Sequence, residues 1–243
     1  MTALGFLYPG HSAEDDYPRI EQLLGSDIRL PLVHTDIGED AHREDALREM
    51  GSPERLAAGV QELRLSGAEA VVWACTSGSF VYGWEGAQEQ VRALARTAGM
   101  PASSTSFAFA HAVRELGGRR VAVAATYPED VAELFAAFLK DAGAEVVSVR
   151  SSGIITAAEV GTWGVDEVLA LARAGDHPEA ELVLLPDTAL HTASHLQALE
   201  SAVSKPVLTA NQVTVWEALR LTDRRVNAPR LGTLFTKEPI VQV

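Results

Sequence analysis

The sole cysteine of this 243-residue chain, Cys75, closes the apolar run Val71-Val72-Trp73-Ala74 and opens a turn of small residues, Thr76-Ser77-Gly78-Ser79. A thiol carried by a buried strand to the mouth of such a loop stands where ligands collect in open α/β sheets, beyond the carboxyl ends of the strands. The loop offers backbone N–H groups and hydroxyls that can hold an anion beside the sulfur. A thiolate so placed is a nucleophile or a proton carrier. The plainer alternative is a buried cysteine acting as a small hydrophobe, the usual fate of a free thiol. A single cysteine also excludes an intrachain disulfide.

A weak internal repeat supplies a second group. The first apolar run ends in Tyr8-Pro9-Gly10, and a later one ends in Tyr127-Pro128-Glu129; Cys75 lies 67 residues after Tyr8, and Asp187 lies 60 after Tyr127. Asp187 follows Leu182-Val183-Leu184-Leu185-Pro186 and precedes Thr188-Ala189, so both candidate groups end an apolar strand and open a loop of small or hydroxyl residues. Two such halves packed face to face bring the strand ends to opposite walls of one cleft. Groups on opposite faces of a small substrate suit racemisation, isomerisation or stereospecific protonation. Thr76, Ser77 and Tyr127 are candidate donors for a substrate carboxylate and for the enediolate formed from it. Desolvation would turn Asp187 into a useful acid; the alternative is that it caps the N-terminus of the next helix. His11 follows the first strand and is a pocket candidate, while His34 ends the second strand without a clear role. Glu14-Asp15-Asp16 reads as decoration of a helix start, where negative charge is favourable. His191 and His195 have the spacing of one helix face but lack the glutamate of H-E-x-x-H and a third ligand, so no metal site is expected.

The elements that must position these groups are legible as alternation. Apolar runs predict strands over 3–8, 28–34, 69–74, 119–124, 144–150, 181–185 and 206–208, several of them apolar throughout, as parallel strands covered on both faces are. Amphipathic stretches predict helices over 14–24, 53–66, 84–98, 105–116, 129–142, 164–174, 191–202 and 211–221. Ser52-Pro53 marks one start, and Gly67, Gly99, Gly117 and Gly143 follow helical stretches where a left-handed residue is wanted. This is the pattern of a doubly wound α/β protein. The loops around 35–50 and 151–163 shape the pocket and have no predicted structure. A formal net charge of −13 argues against nucleic acid, and no apolar run approaches the length that spans a bilayer. The start lacks a basic signal-peptide region, so the chain reads as cytoplasmic. G-x-G-x-x-G, Walker A and G-x-S-x-G sequences are absent from it.

The segment from Cys75 to Phe80 resembles the first active-site loop of the aspartate/glutamate racemase superfamily, most closely the branch of maleate cis–trans isomerase and arylmalonate decarboxylase. Gly5-Phe6-Leu7-Tyr8-Pro9, Thr126-Tyr127, Leu184-Leu185-Pro186-Asp187 and Trp216-Glu217-Ala218-Leu219-Arg220-Leu221 fall in the expected order, so the resemblance covers nearly the whole chain. It implies that Cys75 is the first-half catalytic cysteine, which in the isomerases attacks the substrate double bond. It also implies that Thr76, Ser77 and Tyr127 cradle a carboxylate; Pro9, His11, Ser12 and Thr188, beside the same strand ends, are the further candidate substrate contacts. Ser12 falls near a position where the isomerases carry an asparagine. Asp187 stands at the second-half cysteine position. Two-thiol racemisation is therefore excluded, and a decarboxylase of the known type would lack its usual proton donor.

The expected fold is α/β, with two pseudo-symmetric lobes, each a parallel sheet flanked by helices, and the active site in the cleft between them. The lobes would comprise 1–103 plus 207–243, and 104–206. The expected activity is cofactor-independent isomerisation, of cis–trans or racemase type, of a small carboxylate or dicarboxylate through Cys75 and Asp187. The alternatives are a malonate-type decarboxylase using the same pocket and a non-catalytic small-carboxylate binding protein. The resemblance further implies a homo-oligomer, dimer or tetramer.

Overall fold

The computed structural model describes residues 2–236; Met1 and 237–243, assigned above to the first lobe, lie outside the described residues. Two parallel sheets carry the chain. The first holds β1 (Thr2–Pro9), β2 (Ile28–Arg29), β3 (Leu32–Thr35), β4 (Ala70–Trp73) and β5 (Ala102–Ser104). The second holds β6 (Arg120–Ala125), β7 (Glu145–Ser151), β8 (Leu182–Leu185) and β9 (Val207–Thr209). β1 lies between β4 and the β2/β3 pair, with β5 outside β4; β6 lies between β8 and β7, with β9 outside β8. Both sheets thus share one winding order, which is the structural form of the sequence repeat. Strand pairs are parallel throughout, and the central strands are apolar because helices cover both of their faces.

Most predicted elements appear close to their expected limits, and Gly67, Gly99, Gly117 and Gly143 are all left-handed. The differences lie where local pattern is weak. Pro31 splits the second predicted strand into β2 and β3, since it offers no N–H to the ladder. β5 was not predicted: Ala102-Ser103-Ser104 has no apolar run, and its strand form comes from pairing with Val71-Val72-Trp73. Short helices, Glu44–Met50 and Ala157–Val160, occupy the two loops that had no predicted structure. The helix expected over 191–202 begins only at Leu196, so His191 and His195 do not share a helix face. The second sheet also runs past the expected lobe boundary at 206, because Val207–Thr209 pair with Val183–Leu185 of β8.

After β9 the chain returns through helix Ala210–Leu221, which contacts β1, β4, β5, β9 and helix Thr105–Glu115. This helix is buried along most of its length and carries a buried carboxylate, Glu217. Glu217 accepts from Ser103 of β5 (2.7 Å), His111 (3.0 Å) and Arg220 (2.7 Å), fixing the helix to the first sheet.

Candidate active site

The first wall of the site is built by β1 and β4. Leu7 pairs with Trp73, the Ala74 N–H donates to the Leu7 carbonyl, and β4 ends there. Thr76 then turns the chain into the short helix Ser77–Phe80. Gln90 holds this turn from behind, donating through Nε2 to the carbonyls of Gly78 and Gly51, each at 2.8 Å. The backbones approach so closely that a Cβ on Gly51 would lie 2.3 Å from the Gly78 oxygen. Cys75 is therefore delivered by a strand and fixed by a packed turn. Its sulfur accepts the Gly78 N–H at 3.3 Å and lies 3.8 Å from the Ser77 hydroxyl. Burial, helped by the Asp187 charge, outweighs these bonds and pushes the thiol pKa up to about 12. Cys75 rests as a neutral thiol.

The second wall is the matching end of β6 and β8. Val123 pairs with Leu184, and beyond the ladder the Thr126 hydroxyl donates to Asp187 Oδ2. Asp187 Oδ1 accepts the Ala189 N–H at 2.9 Å, and the Asp187 carbonyl accepts the Leu190 N–H at 3.3 Å. The carboxylate thus closes its own turn and does not cap a helix. It also faces the thiol's surroundings: its charge raises the pKa of Tyr8 and Tyr127, whose phenols are pushed up chiefly by burial.

Hydroxyls join the two walls. Thr76 Oγ1, from the first half, donates to the Pro186 carbonyl at 2.5 Å, and the Tyr127 phenol donates to the same oxygen at 3.0 Å. Tyr8 donates to the Thr188 carbonyl at 2.9 Å and accepts from the Ala13 N–H; Ser12 stands 2.7 Å away as a second donor to it. Cys75, Thr76, Ser77, Tyr127, Asp187 and Thr188 are all buried in this one region, with Pro9 at the end of β1. Two placements differ from expectation. The protons of Thr76 and Tyr127 go to a backbone carbonyl, and His11 turns outward, with 71% of its side chain exposed and Glu14 as its partner.

The arylmalonate decarboxylase family model matches residues 50–235. The chain belongs to the arylmalonate decarboxylase family. It is 31% identical over 179 residues to the arylmalonate decarboxylase of Bordetella bronchiseptica, covering 72% of this chain and 74% of that protein. With the maleate isomerase of Nocardia farcinica it shares 28% identity over 204 residues, 78% of this chain and 81% of the relative. A solved structure of the Nocardia farcinica maleate cis–trans isomerase, a cysteine-to-serine variant with a covalently bound succinylcysteine intermediate, superposes with a TM-score of 0.88. That match has 21% identity and covers 98% of this chain and 99% of the other. This chain is thus an enzyme of a family that spans both activities.

In this family member further residues join the site that the sequence did not single out. Asp16, read above as helix-start decoration, is buried and accepts from the N–H groups of Thr192 and Ala193 and from Asn211, tying the first lobe to the turn that follows Asp187. His42 belongs to the segment between β3 and helix Glu44–Met50, yet its Nδ1 donates to the Ile154 carbonyl at 2.9 Å and its ring meets the Tyr127 ring edge-on at 4.9 Å. Two residues earlier, Asp40 accepts the N–H groups of Ala157 and Ala158 at 2.8 and 3.0 Å. The two loops without predicted structure therefore clasp each other across the lobes, over Thr126 and Tyr127. More than 110 residues separate these partners, and only Asp16 left a sequence trace, as the third of three consecutive acidic residues. No helix among the described residues is long and apolar enough to cross a membrane.

Proposed function

We propose that this enzyme isomerises a small carboxylate or dicarboxylate without a cofactor, using Cys75 as nucleophile and Asp187 as the opposing acid/base. The observation that carries this reading is the placement of a thiol and a carboxylate, from equivalent strand ends of two similar halves, in one buried and electrostatically coupled cluster. In the cis–trans form of the reaction Asp187 takes the thiol proton as sulfur bonds to one carbon of the double bond. The π electron pair moves to the neighbouring carbon and its carboxylate, the remaining single bond turns, and the pair returns to expel sulfur, which regains its proton from Asp187. The raised thiol pKa requires this coupling, because little thiolate exists before the substrate arrives. The intermediate on cysteine in the Nocardia isomerase supports the first step by kinship.

A second reading, decarboxylation of a malonate-type acid, is favoured by the same neutral thiol. Loss of CO₂ leaves an enediolate, and Cys75 as it rests is a proton donor to it. One experiment separates the two. The enzyme is incubated in D₂O with maleate, with an arylmalonate and with aspartate, and followed by proton NMR. Conversion of the cis to the trans diacid without CO₂ supports the isomerase; a deuterated monocarboxylic acid with CO₂ release supports the decarboxylase. Cys75→Ser should lower turnover of the active substrate by about 10²-fold or more, and a variant as active as the parent overturns both readings.

A further inference from the structure

We propose that His11, Glu14 and His34 form a binding site for a divalent transition-metal ion of the zinc class, at the rim of the first lobe. One ligand atom from each residue lies within 4.8 Å of the other two. His11 Nδ1 stands 3.0 Å from Glu14 Oε1, and the two imidazole rings lie with centroids 3.9 Å apart.

Two of the three groups are aimed by neighbours outside the trio. His34 Nδ1 is 2.7 Å from the Gly10 carbonyl. A carbonyl only accepts, so Nδ1 carries the hydrogen of the neutral ring and Nε2 keeps the lone pair. This is the arrangement by which an outer hydrogen bond fixes a ligating histidine. Glu14 Oε2 accepts the Ser12 N–H at 2.7 Å, leaving Oε1 toward His11.

The donor set selects the ion. Two imidazoles and one carboxylate suit zinc, cobalt or nickel, whereas magnesium and calcium take oxygen ligands. Bonds of about 2.0–2.1 Å bring neighbouring ligand atoms to roughly 3.4 Å in tetrahedral geometry. Closure needs movement of about an ångström, and the exposed His11 supplies it while His34 stays anchored on β3. Bound there, the ion would pin the turn after β1 to the end of β3. That turn also holds Ser12, the 2.7 Å partner of Tyr8, so the ion would stiffen the support of the site without touching the reacting pair.

The test is titration of the chelator-treated full chain with Zn²⁺ by calorimetry and with Co²⁺ by visible absorption. The expected result is one ion per chain, ligand-field bands characteristic of nitrogen and oxygen donors, and no competition from excess Mg²⁺. His11→Ala, whose exposed side chain makes loss of folding a remote concern, and Glu14→Gln should each weaken binding at least tenfold, and His34→Ala more. A double variant of His191 and His195 should bind as the parent does. Absence of binding in the parent overturns the proposal, as does affinity unchanged in His11→Ala and Glu14→Gln or abolished in the His191/His195 variant.

Discussion

Cys75 has two properties that pull apart in most thiol enzymes: it is the proposed nucleophile, and it is 3% exposed with its pKa pushed up to about 12. A raised thiol pKa means that the thiolate fraction is small at neutral pH and grows as pH rises. Alkylation of Cys75 by iodoacetamide should therefore be slow at pH 7, slower than that of an exposed cysteine, and should accelerate toward high pH. Mass spectrometry of the labelled chain reads this directly, and rapid labelling at pH 7 would show that the thiol is activated at rest. Asp187 invites a different substitution. Asn keeps an oxygen to accept from Ala189 but loses the exchangeable acid, so Asp187→Asn should fold with a similar melting temperature while turnover falls by roughly 10²-fold. Normal turnover would reduce Asp187 to a turn-former. At this scale the sequence was informative because Cys75 and Asp187 each end an apolar run, so chemistry and position are written side by side. His42 shows the opposite case. Its place beside Tyr127 depends on a partner, Ile154, 112 residues away, and no local pattern records such a meeting.

Among the elements, the turn that holds the thiol depends on a glycine elsewhere. Gly51 lets the end of helix Glu44–Met50 touch the Gly78 carbonyl, and an added methyl would meet that backbone oxygen first and then the Gln90 amide that holds the turn. Gly51→Ala should cost about 1–3 kcal/mol, with lowered turnover because the turn shifts under Cys75. Denaturant unfolding checks the first effect and steady-state kinetics the second. The clasp between loops gives another prediction. Asp40→Ala removes the acceptor for two N–H groups at the start of helix Ala157–Val160 and should cost on the order of 1 kcal/mol. Hydrogen exchange should rise at 152–160 and 38–43 and stay unchanged in β6, a pattern that a globally loosened fold would not give. Strand–helix alternation was readable because fully covered strands such as Val121–Ala124 are apolar throughout. β5 and the clasp were not, since a three-residue strand and two irregular loops take their form from neighbours and carry no periodicity of their own.

The whole molecule is two similar sheets locked by one returning helix, and Glu217 is its buried charge. Burial disfavours the ionised form, but Arg220 and His111 more than compensate and draw its pKa to about 2. A carboxylate with a depressed pKa adds stability that is fully present above its unfolded value, near 4.5, and is lost as pH falls through 2. Glu217→Gln should therefore destabilise the protein by about 3 kcal/mol at pH 7, and the gap to the parent should shrink as pH drops toward 2. Denaturation curves at pH 7 and pH 3 test both the size and the sign.

The Pro186 carbonyl, shared by Thr76 and Tyr127, has a consequence for turnover. Two hydroxyls of the candidate site, those of Thr76 and Tyr127, already possess an oxygen partner supplied by the chain itself. A substrate carboxylate bound as proposed would compete with that oxygen for two protons, so part of its attraction would be spent on an exchange of partners. When product leaves, the hydroxyls return to Pro186 and no buried donor is stranded. On the proposed reading, the peptide oxygen would be a resident stand-in for the ligand, trading tightness of binding for ease of exit.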